Sequence, residues 1–208
     1  DILNRQIVDI AVIEEGEVTF VELITRLRED AIIPTDVHGT AVLVEGAVRM
    51  NPKRMLVADI DSLPFPDYEQ VDLDSYSGFS NHAFQSANEC AFIYSSRGCP
   101  YRCYYCHEAL VKTVRRRSPE NVVLELEEHY HRRGIKNFVF ADDIFNVPKK
   151  IGKEILHQVI DRLPGVSLNF PNGLRADQLD DEFLDLLEKA GTVHMALAVE
   201  TASPRLQK

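Results

Sequence analysis

The apolar positions begin with a short β-branched block, Val8-Asp9-Ile10-Ala11-Val12-Ile13, ended by the polar stretch Glu14-Glu15-Gly16-Glu17. Phe20, Leu23, Ile24 and Leu27 then recur at helical spacing, so a strand followed by an amphipathic helix is expected. Ala41 to Val44 and Val48 to Met50 flank Glu45-Gly46, a hairpin signal, and Asn51-Pro52 ends the second run. Two prolines in Leu63-Pro64-Phe65-Pro66-Asp67 enforce an extended connection. A domain boundary is expected there, at about Pro66.

From Ala91 onward strand, loop and helix alternate. Ala91 to Tyr94 is an apolar run. After a cysteine-rich loop, Ser118-Pro119-Glu120 supplies an N-cap and a first-turn proline for a helix carrying Val122, Val123, Leu126 and Tyr130, stopped by Gly134. The unit recurs as Phe138 to Phe140 with a helix near Pro148 to Leu163, and as Val166 to Phe170 with a helix near Asp180 to Ala190 before Gly191. A fourth strand is expected from Val193 to Val199. Crossovers of this length imply parallel pairing, in an α/β sheet or barrel.

In such folds functional polar residues gather where strands end. Each run here is followed by candidates: Cys99, Cys103 and Cys106; then Asp142 and Asp143; then Asn169, Asn172 and Arg175; then Glu200 and Thr201.

The 208 residues are 45% hydrophobic and 27% charged, an ordinary globular composition. A formal charge of −10 disfavours a grip on nucleic-acid phosphate or an anionic membrane, so small-molecule or protein partners are expected. No apolar run reaches the length of a membrane span and no signal-peptide pattern opens the chain, which points to a cytoplasmic protein. The chain lacks an initiating Met and stops just after a strand-like run, so an excerpt of a longer protein is expected.

Three of the four cysteines, Cys99, Cys103 and Cys106, fall within eight residues as Cys-x3-Cys-x2-Cys. Clustering of this kind points to a metal rather than a disulfide framework. Three thiolates fill three sites of a four-iron cluster and leave one iron open, an arrangement for chemistry rather than electron transfer alone. A structural zinc site with His107 as fourth ligand is the competing reading. Cys90 stands alone beside an apolar run and reads as a buried small hydrophobe.

The Cys-x3-Cys-x-aromatic-Cys loop, placed after the first strand of a βα repeat, resembles the radical S-adenosylmethionine superfamily. The resemblance implies that Cys99, Cys103 and Cys106 hold a 4Fe-4S cluster whose open iron is chelated by S-adenosylmethionine. It further implies that one electron from the cluster cleaves the cofactor to methionine and a 5′-deoxyadenosyl radical, and that Tyr105 lies beside the adenine. Where the family often has Gly-Gly-Glu, this chain has Ala141-Asp142-Asp143-Ile144-Phe145, a form similar to that of the branch carrying a cobalamin-binding domain. Asp142 or Asp143 would then bind the cofactor ammonium or the residues around it; the plainer reading of each is an N-cap or solvated turn. Glu200 matches the family's acidic residue near the methionine part or ribose, and Arg175 is a candidate carboxylate partner whose rival role is a salt bridge to the following helix. Arg115-Arg116-Arg117 reads as a local solvated patch or salt-bridge set.

Residues 1–66 resemble the tail and linker of a Rossmann-like cobalamin-binding domain, and residues 67–208 the first part of a radical S-adenosylmethionine partial (β/α) barrel, truncated at its carboxyl end. His38, in Asp36-Val37-His38-Gly39, is expected in a loop rather than on cobalt. The implied function is reductive cleavage of S-adenosylmethionine coupled to cobalamin-dependent methyl transfer or another radical modification of a small molecule. Cobalamin would bind the full-length parent, and flavodoxin or ferredoxin would supply electrons. The rivals are a non-enzymatic iron–sulfur or zinc protein, and a methylthiotransferase acting on RNA, which the acidic charge disfavours.

Overall fold

The computed structural model describes residues 2–76, 89–104, 106, 112–197, 199 and 201–205. It divides into two compact units, Asp1–Ala58 and Asp59–Lys208. Among the described residues no helix is long and apolar enough to cross a membrane.

In the first unit β1 (Ile10–Val12), β2 (Thr40–Val44) and β3 (Ala47–Met50) form an antiparallel sheet in that order, and α1 (Glu17–Asp30) links β1 to β2. The hairpin turns at Glu45-Gly46, both with positive φ (50° and 79°), a left-handed pair whose twist suits a two-residue connection. Leu23 and Thr19 of α1 are buried along with Val37, Ala41 and Val42. Phe20 and Leu27 of the expected apolar stripe are exposed instead. The segment Val8–Ile13, read as a strand of a parallel Rossmann-like sheet, pairs antiparallel: its β1 portion is hydrogen-bonded to β2. His38 is an exposed loop residue, as expected.

The second unit carries a parallel sheet ordered β4 (Cys90–Ile93), β7 (Asn137–Phe140), β8 (Ser167–Leu174) and β9 (Thr192–Leu197). Helices α2 (Pro119–Arg133), α3 (Lys149–Arg162) and α4 (Asp181–Lys189) make the crossovers. The signals for α2 act as expected: the Ser118 side chain accepts from the Asn121 N–H at 3.2 Å, Pro119 opens the helix and Gly134 closes it at φ 66°. Asp180 caps α4 in the same way, accepting from the Phe183 N–H at 2.9 Å. One face of the sheet packs on the helices through Ala91, Ile93, Phe138, Phe140, Leu168 and Phe170, which meet Leu126, Leu156 and Phe183. Phe140 stacks on Phe170 with ring centroids 5.2 Å apart, and Phe145 lies 4.8 Å from both.

Three details depart from the expectations. Strand β8 runs past Phe170 to Leu174, through Pro171-Asn172-Gly173, because Leu174 regains register with Leu197 after an irregularity; Gly173 takes φ 99° there, and proline is tolerated at a bulge. The boundary between units falls at Ala58, so residues 59–66, expected with the amino-terminal part, lie in the second unit. Both Asp61 carboxylate oxygens accept from the Ser118 N–H (2.9 and 3.1 Å), and Phe65 lies under the Arg117 guanidinium at 5.3 Å. Of the two readings of the Arg115–Arg117 run, the solvated patch fails, while the salt-bridge set holds for Arg117, which pairs with Glu125. Arg115–Arg116 is strand β6, paired antiparallel with β5 (Ser96–Arg97), and Arg117 is buried.

Candidate active site

The parallel sheet brings the ends of β4, β7 and β8 to one edge, and the cysteine loop leaves from the first of these. Its stems are zipped by the β5–β6 ribbon, with Ser96 opposite Arg116 and Arg97 opposite Arg115. Cys103 is exposed and Cys99 and Cys106 are half-buried; none is in a disulfide. The Cys106 N–H donates to the Cys103 carbonyl at 3.1 Å, a tight turn joining the second and third thiols. Cys90 is buried at the start of β4, where its role as a small apolar residue is consistent with the strand's burial.

Among the described residues no three His, Cys, Asp or Glu side chains gather tightly enough for a single metal ion. A four-iron cluster takes each thiolate on a different iron, so its ligands stand farther apart than those of one ion. The donor set, three soft thiols on one loop, fits such a cluster and suits no hard cation.

Asp142 and Asp143 leave β7 in opposite environments. Asp142 is 2% exposed. It accepts from the Ser95 N–H (3.1 Å), the Ser95 hydroxyl (2.7 Å) and the Ser96 hydroxyl. Burial pushes its carboxyl up, while the serine hydrogen bonds and the Arg116 charge pull it back down. Asp143 is half-buried and, among the described residues, has neither a hydrogen bond nor an ion pair. Of the two, only Asp143 holds its carboxylate in reserve.

The β8 end is tied to the same edge. The Asn172 side-chain amide donates to the Ala141 and Asp142 carbonyls at 3.0 and 3.3 Å. Arg175 forks onto Asp177 through Nε and Nη2, both 2.8 Å, and lies over the Tyr101 ring at 4.0 Å, between Cys99 and Cys103 in sequence. Asp177 holds the Arg175 guanidinium above its ordinary value, with Tyr101 and Cys103 adding to the effect. Two of its nitrogens are thus engaged by the turn that follows β8. Asn169 is buried lower in the sheet, donating to the Phe138 carbonyl at 3.3 Å. Tyr105 and Glu200 lie outside the described residues.

Several residues that matter were given no part in the site by the sequence. Asn146, fully buried, exchanges two hydrogen bonds with the Arg175 backbone (2.9 and 3.0 Å) and so fixes the β8 end against the β7 loop. Arg116 reaches the Ile144 carbonyl at 2.7 Å and the Val147 carbonyl through the same nitrogen. Ser95 and Ser96 follow β4 as unremarkable small polar residues, and only their opposition to Asp142 reveals a role.

The chain is 28% identical over 201 residues to an uncharacterized methyltransferase of Pyrococcus horikoshii, covering 96% of this chain and 42% of that protein. The radical S-adenosylmethionine methyltransferase TsrM from Kitasatospora setae, solved with tryptophan and an S-adenosylmethionine analogue, superposes with a TM-score of 0.71 at 22% identity, over 98% of this chain and 39% of TsrM. The cobalamin-dependent radical enzyme OxsB, solved with aqua-cobalamin and S-adenosylmethionine, gives 0.70 at 21% identity, over 93% and 28%. The chain therefore spans less than half the length of these relatives, and the structural likeness establishes a shared fold. Residues 93–208, which hold the cysteine loop, all four parallel-strand ends and more than half of the chain, match the radical SAM superfamily. With its three-thiol loop seated at the carboxyl edge of that sheet, this chain belongs to the radical SAM superfamily.

Proposed function

We propose that this chain carries the cluster- and cofactor-binding part of a cobalamin-associated radical SAM enzyme that acts on a small molecule, with methyl transfer as its leading reaction. The observation that carries the reading is the set of three thiols on the loop that follows β4, with a carboxylate unpartnered among the described residues, Asp143, following the neighbouring strand β7. The relatives supply the chemistry: one is named a methyltransferase, TsrM was solved with tryptophan, and OxsB is cobalamin-dependent.

Cys99, Cys103 and Cys106 would each hold one iron and leave the fourth open. Bound there, such a cluster supplies the electron that cleaves S-adenosylmethionine. Asp143 would receive the ammonium of the methionine part, because a half-buried carboxylate with no partner among the described residues favours a cation. Arg175 would offer its remaining nitrogen to the carboxylate and Asn172 keeps the β7 and β8 ends in register, while by the family resemblance Tyr105 would pair with the adenine and Glu200 with the methionine part or ribose. Residues 1–58 would be the end of a cobalamin-binding domain and residues 59–66 its linker, with cobalamin bound in the longer protein. A flavodoxin or ferredoxin delivers the electron.

Anaerobic reconstitution with iron and sulfide tests this. The expected result is broad visible absorbance and an electron spin resonance signal, in the reduced state, that changes when S-adenosylmethionine is added. Replacing any of Cys99, Cys103 or Cys106 by Ala abolishes both. Tight stoichiometric zinc without that absorbance overturns the proposal in favour of a Cys3His site.

A further inference from the structure

We propose that the loop after β7, residues 142–147, is a clasp that grips both stems of the cysteine loop, and that Asp142 and Arg116 are its positioning residues. The inference rests on the reading of Cys99, Cys103 and Cys106 as cluster ligands, and it assigns Asp142 a task other than contact with S-adenosylmethionine.

The cysteine loop is long, and among the described residues its two stems pair as strands over four residues, Ser96–Arg97 against Arg115–Arg116. A two-stranded ribbon that short does not hold itself together in water. Each stem is instead fastened to one neighbouring segment. On the entry side, Asp142 takes three hydrogen bonds from Ser95 and Ser96. On the exit side, Arg116 donates to the carbonyls of Ile144 and Val147. The Arg117 N–H closes the gap by donating to the Ser95 carbonyl at 2.9 Å. Asp142 and Arg116 are also close enough that the charge of each acts on the other, so the two grips attract across the ribbon.

The chemistry of Asp142 fits this task. A carboxylate that accepts a backbone N–H and two hydroxyls in a site closed to water is engaged on both oxygens, and an incoming ammonium would have to break those bonds. Fixed stems then limit where the three thiols sit when they meet iron, which is how an outer residue tunes a metal site it does not touch.

The test compares wild type with Asp142→Asn, Arg116→Met, Ser96→Ala and Asp143→Asn, each checked for folding by circular dichroism. Before any iron is added, hydrogen exchange is followed in the peptide spanning residues 95–106. Expected is exchange at least tenfold faster there in Asp142→Asn and Arg116→Met, with a smaller increase in Ser96→Ala and none in Asp143→Asn. After reconstitution, the first two variants lose iron to a chelator at least tenfold faster and show broadened or shifted g-values, whereas Asp143→Asn keeps its cluster and weakens S-adenosylmethionine at least tenfold. The double variant Asp142→Asn/Arg116→Met is expected to be no worse than the poorer single one, since both act on one ribbon. Unchanged exchange and iron retention in Asp142→Asn, with loss confined to S-adenosylmethionine affinity, overturns the clasp. If wild type takes up no iron the reading of the cysteines fails, while the exchange arm still decides whether residues 142–147 hold the loop. Should Asp142→Asn not fold, Ser96→Ala carries the same arms.

Discussion

Arg117 and Glu125 form a buried ion pair through Nη1 and Oε2, their side chains only 10% and 3% exposed. Arg117 also donates to the Asn121 side chain at 2.6 Å and to the carbonyl of Tyr94, the residue after β4, at 3.2 Å. Burial pushes the Glu125 carboxyl up and the Arg117 guanidinium opposes it. Removing one partner strands the other charge, so Arg117→Met is expected to lower unfolding free energy by about 3–5 kcal/mol. The double replacement Arg117→Met/Glu125→Leu should recover most of that, as read from urea denaturation. Equal losses in single and double variants would show that the pair contributes through something other than its charges.

His129 sits one turn beyond Glu125. Its Nδ1 accepts from Arg133 at 2.9 Å and its ring lies edge-on to Tyr68 at 5.0 Å, with the nearer Glu125 oxygen 3.9 Å from Nε2. Burial, reinforced by the Arg133 charge, lowers its pKa from 6.5 to about 4. The unfolded chain therefore takes up a proton below pH 6.5 that the folded chain refuses until about pH 4. This contribution is present above pH 6.5 and lost as pH falls through that window, by up to about 1.4 kcal/mol per pH unit. His129→Gln should flatten the stability profile between those limits. A variant profile parallel to wild type across the window would refute the assignment.

The Arg175 guanidinium on the Tyr101 ring offers a finer test of how β8 supports the cysteine loop. Tyr101→Phe keeps the ring face and should leave iron retention unchanged. Tyr101→Ala and Arg175→Ala remove the stacking, worth about 0.5–1 kcal/mol at a partly exposed site, and should speed iron loss about threefold. Identical behaviour of Tyr101→Phe and Tyr101→Ala would show that the stack plays no part.

Cobalamin is expected not to bind the 208-residue chain stoichiometrically. A Rossmann-like pocket is made at the carboxyl edge of several parallel strands, and the described strands of residues 1–58 pair antiparallel. Equilibrium dialysis against hydroxocobalamin checks this. Tight one-to-one binding would place the site within these residues and return His38 to consideration as a cobalt ligand.

The βα alternation and the cysteine loop were legible in the sequence because their signals are local: apolar runs, Ser118-Pro119 before a helix and Gly134 after it. The fate of Arg115–Arg117 was legible only in part, since a salt-bridge set was one of two readings and holds for Arg117. Three adjacent charges look solvated until distant partners, Ser96, Val147 and Glu125, are brought to them by the fold. Asp142 and Asp143 could not be told apart for a related reason. Successive residues leaving a strand face opposite ways, and which way is inward depends on where β4 ends beside them. The length of β8 was hidden as well, since Pro171 and Gly173 signal a loop and only pairing with β9 overrides them.

The grip of residues 142–147 on the cysteine loop also sets an order of events during synthesis. The three thiols leave the ribosome well before β7, yet the grips on Ser95, Ser96 and Arg116 cannot form until Asp142 and Val147 have been made and β7 has paired with β4. Iron offered to the earlier nascent chain would meet three thiols on an unshaped segment. Shaping of the loop therefore waits until the chain has passed Val147, just short of α3, rather than following at once on synthesis of the thiols.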